Sequence, residues 1–201
     1  MTKSGLKNKN GGKYMDTDSH SNILESQIRE LYARLVWTHK TQEKCADILF
    51  RRNNRIKILQ IILSALTTTG IMVAVFGDNK IAGIISAVLS AILFGINTYL
   101  KDYDLGEIAQ KHANSASDLW NMRELYLSLL TDVKMGRLTP DEITIKRDTL
   151  QDELYHIYKG SPRTISKAYK EATLGLKTKE EMYFTDDEID TLLPANLRKL
   201  I

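Results

Sequence analysis

Two mostly apolar stretches of this sequence each contain three uncharged polar side chains that fall on one helix face. Amides and hydroxyls in such a setting either form hydrogen bonds to a neighbouring helix or to their own backbone, or line a water-filled path. Both interpretations stay open, although a path needs several copies of the chain because one pair of helices cannot enclose it. The six residues are Gln60, Ser64 and Thr67 in the first stretch and Ser86, Ser90 and Asn97 in the second.

The second stretch also has a ridge of small residues, one at every fourth position. Such a ridge allows another helix backbone to approach closely, because van der Waals contact drives helix association in lipid. We predict that it packs against a helix, either within one chain or between copies. The ridge consists of Gly83, Ala87, Ala91 and Gly95. The bulky side of the same helix is predicted to face lipid and consists of Ile85, Val88, Leu89, Ile92 and Ile96.

Two groups of basic residues outside these stretches are candidates for binding anions. One group directly precedes the first stretch, where each cation can add about 1 kcal/mol of attraction to anionic headgroups. The other is predicted to share one face of a helix that begins at Ser161-Pro162, where a helix N-terminus with three cations can hold a phosphate. A solvated charged face is the alternative for this second group. The groups are Arg51, Arg52, Arg55 and Lys57, and Arg163, Lys167 and Lys170.

The elements that position these residues are two long apolar runs, Ile58–Phe76 and Ile81–Leu100. Neither run contains Asp, Glu, Lys or Arg, and a helix needs about 20 apolar residues to cross a bilayer. The connection from Gly77 to Lys80 is so short that the two helices must be antiparallel neighbours. The sequence therefore predicts a transmembrane hairpin, with a buried hairpin of a soluble protein as the alternative.

The basic residues around the runs predict how the hairpin is oriented. Four cations precede the first run and Lys101 follows the second, whereas the connecting loop contains only Lys80. Because cytoplasmic loops carry the excess of Lys and Arg, both termini are expected in the cytoplasm.

Amphipathic helices are predicted to extend both spans into the cytosol. Asn22 with Glu25 resembles a capping box, and the apolar stripe that follows runs without a helix breaker into the first span. The second span is likewise predicted to continue as one helix to about Gly136. Since the hairpin holds these extensions side by side, we expect them to pack on each other as a cytosolic stalk.

Three segments follow from these patterns. Residues 1–21 are predicted to be a disordered N-terminal tail because few of them are apolar. Residues 22–135 form the helical hairpin with its two spans, and residues 136–201 form a C-terminal cytosolic helical region. Four short helices are expected there, with start signals at Thr139, Ser161-Pro162, Thr178 and Thr185. Since no segment alternates with period two, the predicted fold is all-α.

The composition argues against several other classes of protein. A net charge of +3 offers no global field for direct binding of nucleic acid. The single cysteine, Cys45, excludes an internal disulfide, and the four histidines match no zinc spacing. No glycine-rich phosphate loop, nucleophile elbow or pair of catalytic carboxylates is present. We therefore expect neither an enzyme nor a cofactor.

A family resemblance is carried by residues 31–35 with 51–55, by the hairpin and by residues 112–126. In these features the chain resembles the SLATT family, the two-transmembrane effector domains associated with SMODS nucleotidyltransferases and SLOG nucleotide sensors. Residues 161–169 look like the subgroup with an extra C-terminal helical region. The resemblance covers about residues 22–195. It implies a prokaryotic anti-phage effector that acts on the inner membrane once a nucleotide-signalling or sensor partner detects phage, and it brings no catalytic residues.

Two functional classes remain. The first is a homo-oligomeric effector that forms a pore in the lipid bilayer, or disrupts it, and is gated by its cytosolic helices. The second is a membrane-anchored scaffold or sensor whose hairpin only tethers it and whose C-terminal helices bind a partner protein. The polar residues within both spans favour the first class, because a tether needs only apolar length.

Overall fold

The protein consists of helices joined by short connections. A computed structural model describes residues 11–199, with side chains from His20 onward. The helices are α1 (Gly11–Phe76), α2 (Lys80–Asp102), α3 (Leu105–Lys134), α4 (Pro140–Gly160), α5 (Ser166–Thr178) and α6 (Asp186–Leu192), followed by a 3-10 turn at Ala195–Leu197. No strand occurs among the described residues, which confirms the predicted all-α fold.

Helix α1 is one continuous element of 66 residues that joins the stalk to the first span. It begins at Gly11, and the carbonyl of Asn22 accepts a bond from Ser26 Oγ at 2.9 Å. The capping-box interpretation of Asn22 is therefore wrong, because adding residues to an existing helix costs far less than starting one. Of the segment predicted to be disordered, residues 11–21 belong to α1, and residues 1–10 lie outside the described residues.

The second span does not continue unbroken into the stalk as predicted. Tyr103 and Asp104 separate α2 from α3. The Asp104 carboxylate accepts the backbone N–H groups of Gly106 at 2.8 Å and Glu107 at 2.9 Å. An aspartate that bonds its own backbone in this way starts a new helix instead of extending the old one. The return path therefore has a joint at residues 103–104, which α1 lacks.

The core of the stalk lies between α1, α3 and α4. Its largest buried apolar side chains are Ile28, Leu35, Leu119, Met122, Tyr126 and Ile143. Arg147 donates to Gln27 at 2.7 Å and Tyr158 donates to Thr38 at 3.3 Å, each across 120 residues of sequence. Since this separation is constant, α4 runs parallel to α1. The C-terminal region thus shares the core of the hairpin extensions.

The capping boxes at the starts of α4 and α6 are confirmed, but two other helix starts are wrong. Thr139 and Thr185 each exchange both capping bonds with a glutamate three residues on. Ser161 instead caps the end of α4 in an extended conformation, as expected before a proline, and α5 begins only at Ser166. Thr178 is the last residue of α5, and the chain then turns through Glu180 and Met182 at positive φ.

Candidate functional site in the membrane hairpin

The two spans keep their apolar side chains on the outside of the protomer. Each contains an 18-residue window with a mean hydropathy of 2.0, of which only 6% is buried. A core helix of a soluble protein would bury most of such a window. Ile61, for example, is 69% exposed and Phe94 is 73% exposed. Two helices with this length, composition and exposure are suited to contact with lipid.

The spans meet along a line of small and polar residues, which we call the hairpin seam. It consists of Gln60, Thr67, Gly70 and Ala74 from α1 and of Gly83, Ser86 and Asn97 from α2.

Close approach along the seam depends on Gly70. A Cβ atom at this position would collide with Ser86 Oγ, and that hydroxyl donates to the carbonyl of Ala82 at 2.9 Å. Ser86 and Thr67 are both buried in the seam, and Thr67 Oγ1 has no hydrogen-bond partner among the described residues. The seam therefore relies on the small-residue packing that is typical of helices in lipid.

The end of the seam that adjoins the stalk opens into a polar cleft. Gln60 Nε2 donates to Asn97 Oδ1 at 2.6 Å, and both residues line a cleft of about 670 Å³ together with Lys57, Ser64, Ile61, Ala65 and Leu93. Ser90 is exposed and precedes Asn97 by seven residues, so it lies two turns further along the same face. We call this face, with Gln60, Ser64, Ser90 and Asn97, the polar groove.

The structure thus divides the six predicted polar residues into two sets. Thr67 and Ser86 belong to the interior of the hairpin, where they pack against the opposite helix. The residues of the polar groove remain open on one side of the protomer. Thr67, Ser86 and the Gln60–Asn97 hydrogen bond fit the interpretation as contacts within the hairpin. Ser64 and Ser90 leave the water-filled path as an interpretation for an assembly of several copies.

The ridge of small residues leaves the seam after its first member. A Cβ atom on Gly83 would lie 3.4 Å from Ala74 Cβ, whereas one on Gly95 would meet nothing within 4 Å. Ala87 and Ala91 are also exposed. Of the residues predicted to face lipid, Ile85, Val88 and Ile92 are exposed, but Leu89 and Ile96 are half-buried. That part of the prediction is wrong because residues seven apart return to the seam side of the helix.

Comparison with known proteins agrees with this geometry. Residues 24–188 match the SMODS and SLOG-associating 2TM effector domain family 4, and this range is more than half of the 201 residues. The chain belongs to this SLATT family. Membership makes it a two-transmembrane effector domain of conflict systems, a class that is not a known enzyme family, and places it at the membrane. No curated protein and no solved structure matches the chain.

The stalk of this SLATT chain contains a buried hydrogen-bond network that the sequence analysis did not identify. His112 Nδ1–H donates to Gln42 Oε1, and Gln42 Nε2 donates to the carbonyl of Pro162 at 3.2 Å. Because that carbonyl can only accept, the network determines which atom of each side chain donates. Burial lowers the pKa of His112, which favours its neutral form. One feature of the sequence could have indicated this network, because Gln42 is a polar residue seven positions after Leu35 within an apolar stripe.

A second missed contact joins the turn after α5 to α1. Glu181 lies 2.9 Å from Lys40 Nζ and 2.9 Å from Lys44 Nζ. Hydrogen bonds from Lys40 and then Lys44 lower the pKa of Glu181 to about 2, against the opposing effect of burial. Glu181 lies in the segment where a helix start is predicted at Thr178, and a helix-start pattern carries no information about partners on α1.

The predicted anion group does not form a single helix face. Arg163 lies in the segment before α5, whereas Lys167 and Lys170 lie within that helix. Lys167 instead lines a cavity with Arg51, Arg52 and Arg55. The structure of the SLATT chain therefore brings together cations from two groups that are more than 100 residues apart in the sequence.

Proposed function

We propose that the protein is a homo-oligomeric effector that permeabilises the inner membrane of a prokaryotic cell. The observation that carries this proposal is the polar groove. In a lone protomer the Ser64 hydroxyl and the remaining donors and acceptors of the Gln60–Asn97 pair would face lipid from an open cleft, and polar groups in contact with hydrocarbon are costly unless they find partners or water. Several copies that turn their grooves towards a common axis would hydrate these groups and create a path.

The exposed part of the small ridge supplies a surface for such an assembly. Ala87 and Ala91 are exposed, and a Cβ atom on Gly95 would meet nothing within 4 Å. These three residues lie on α2 beside the polar groove, so a neighbouring helix that packs on them would border the groove. Close packing through small residues is a common way for transmembrane helices to associate.

The stalk is suited to control the spans. Because α1 runs without interruption from the stalk into the first span, a rotation of its cytosolic part would be transmitted to Ser64. The joint at residues 103–104 would let α2 adjust independently. In this proposal a nucleotide-signalling or sensor partner moves the stalk, and a hydrophobic constriction between copies opens or closes the path by wetting or dewetting.

Leakage of ions or dye from liposomes that contain the purified protein, with its trigger supplied, tests the proposal. Ser64→Leu and Ser90→Leu should each abolish leakage, because a leucine in the groove removes water from it. Thr69→Leu is the matched control, because Thr69 is exposed and lies about 140° around α1 from Ser64. Leakage that is equal in all four proteins would remove the groove from the mechanism.

The orientation of the hairpin is tested separately with reporter fusions. Fusions at residue 20 and at Ile201 should both report a cytoplasmic position, and one at Asp78 should report an external one, as the distribution of basic residues predicts. An external C-terminus would place the stalk outside the cell and overturn its role in gating.

A scaffold or sensor is the second candidate, and the C-terminal surface favours it. Tyr183 is 66% exposed and Phe184 is 59% exposed, next to the turn that Glu181 holds on α1. Exposed aromatic residues of this kind are typical of protein interfaces. Under this alternative Ser64→Leu and Ser90→Leu would have no effect, whereas Phe184→Ala would release a partner and leave the membrane intact.

A further inference from the structure

A cavity of about 660 Å³ lies where α5 meets the end of α1 that enters the membrane. Its volume lies within the usual range for ligand-binding clefts. Positions 48, 51, 52 and 55 of α1 fall on one helix face, which turns towards the beginning of α5. The lining residues are Ile48, Arg51, Arg52 and Arg55 from α1, and Ile165, Lys167 and Glu171 from α5 and its cap.

Most of the positive charge in this cavity is not neutralised by the protein. Arg51 lies 3.5 Å from Glu171, whereas Arg52, Arg55 and Lys167 have no acidic partner among the described residues. The first turn of α5 adds a further attraction for anions, because its cap residue, Ile165, supplies no side-chain acceptor for the first backbone N–H groups. The cavity therefore combines four cations with one carboxylate.

The cavity also lies at the depth of the lipid headgroups. Arg55 and Arg51 precede Ile58, the first residue of the apolar run, by three and seven residues, which corresponds to about 5 and 10 Å along the helix. The headgroup layer occupies about 5–8 Å on each side of a hydrocarbon core of about 30 Å. A phosphate bound between these arginines and α5 would therefore be at the level of the phospholipid phosphates.

We propose that this cavity binds the phosphate of an anionic phospholipid headgroup and thereby holds α5 at the membrane surface. Arginine binds phosphate oxygens in pairs, while Lys167 and the N-terminus of α5 approach from the opposite helix. The two isoleucines provide an apolar edge for the glycerol part of the lipid. This inference goes beyond the proposed pore, because it requires only that the hairpin lies in a bilayer.

The test measures how much phosphatidylglycerol the full-length chain retains when it is extracted from nanodiscs of phosphatidylcholine with or without phosphatidylglycerol. Native mass spectrometry counts the retained lipid. R52Q/K167Q should weaken binding about thirtyfold, which corresponds to about 2 kcal/mol for two headgroup contacts. The control R163Q/K170Q removes the same charge from residues that do not line the cavity, and it should retain the lipid. The charge-preserving R52K/K167R should retain most of it.

A variant with the opposite effect separates this site from general surface charge. Glu171 is the only carboxylate among the described residues that line the cavity, so E171Q should increase phosphatidylglycerol retention. Equal losses in R52Q/K167Q and R163Q/K170Q, or no gain in E171Q, would overturn the site.

Free phosphate has the same chemistry as the headgroup. Inorganic phosphate is therefore added to detergent-purified protein that still retains phosphatidylglycerol. Displacement of phosphatidylglycerol by millimolar phosphate would assign the cavity to a free anion and overturn the lipid as its ligand. Leakage is measured on the same variants in liposomes. A protein that never leaks but still retains phosphatidylglycerol through Arg52 and Lys167 would refute the pore and support this site.

Discussion

Helix α1 passes through both the stalk and the hairpin, and the kind of side chain that it buries is reversed between the two regions. In the stalk it buries Ile28 and Leu35, and its exposed face carries the ion pair of Arg34 with Glu30. In the hairpin the same helix buries the hydroxyl of Thr67 and exposes Ile61. One continuous helix is therefore built for two solvents.

This reversal of buried and exposed side chains shows which force holds each region together. In the stalk, water drives large apolar side chains into a shared core at roughly 25 cal/mol per Å² of buried area. In the hairpin, lipid is as apolar as leucine, so only close packing and hydrogen bonds favour the contact. This is why the seam contains Gly70, Ser86 and the Gln60–Asn97 bond, and why bulky side chains such as Ile61 and Phe94 stay exposed.

The largest expected effect comes from matched leucine truncations in the two regions. Leu119→Ala removes a fully buried side chain of the stalk and should cost about 2–5 kcal/mol. Leu66→Ala removes a side chain that is 54% exposed in the first span and should change stability by about 0.5 kcal/mol or less.

The measurement uses the fact that both tryptophans, Trp37 and Trp120, lie in the stalk. Thermal unfolding in detergent is followed by their fluorescence, which reports the stalk, and by far-UV circular dichroism, which reports all helices. A loss for Leu66→Ala as large as that for Leu119→Ala would mean that the first span has a core of the soluble kind.

The next effect concerns two glycines of the hairpin. Gly70→Leu places a bulky side chain against Ser86 and should cost the hairpin about 1–3 kcal/mol through overpacking. Gly95→Leu meets nothing within 4 Å of its Cβ in the protomer, so it should leave the hairpin intact and weaken the oligomer instead.

Oligomeric mass in detergent, from light scattering, distinguishes these outcomes. If Gly95→Leu keeps the wild-type mass, the ridge is not the contact between protomers. The double substitution Gly83→Leu with Gly95→Leu should combine both effects, because Gly83 faces Ala74 within the hairpin.

The sequence was sufficient to predict the elements whose signals are local or periodic. The ends of the spans at Phe76 and Lys80 follow from the change in polarity, and the capping boxes at Thr139 and Thr185 follow from four neighbouring residues. The family was also recognisable, because its architecture is a property of the whole hairpin.

What the sequence could not show depends on residues that meet from distant positions. The Asp104 joint depends on whether a carboxylate turns to its own backbone, and the place of Lys167 depends on how the segment before α5 folds over α1. The six polar residues of the spans could be divided into two sets only once the seam was known. Ser86 and Ser90 are one helical turn apart, yet Ser86 is buried and Ser90 is exposed in the structure.

The smallest expected effect is a difference in pH dependence between the two regions. Burial lowers the pKa of both His39 and His112 in the stalk. The unfolded chain therefore binds more protons than the folded one, and stability is lost as pH falls below about 6.5. Glu181 has a folded pKa lowered to about 2, so its contribution is complete above about 4.5 and is lost as pH falls from there towards 2. The spans contain no group that titrates between pH 7 and 2.

Acidification should therefore lower the unfolding temperature reported by tryptophan fluorescence in two steps, while the contact between the spans stays intact. His112→Asn retains a donor for Gln42 without a titrating ring, so it should reduce the step below pH 6.5. Glu181→Gln should reduce the step below about pH 4.5 and leave the first one unchanged, and the remainder belongs to Glu142 and Glu188, whose pKa values are lowered by their capping bonds to Thr139 and Thr185. The distance between spin labels at Leu66 and Ile92, exposed residues of the two spans, should be the same at pH 7 and after acidification. Separation of the spans at the same pH that loosens the stalk would instead show that the two regions unfold as one unit, with α1 transmitting the change from water into the membrane.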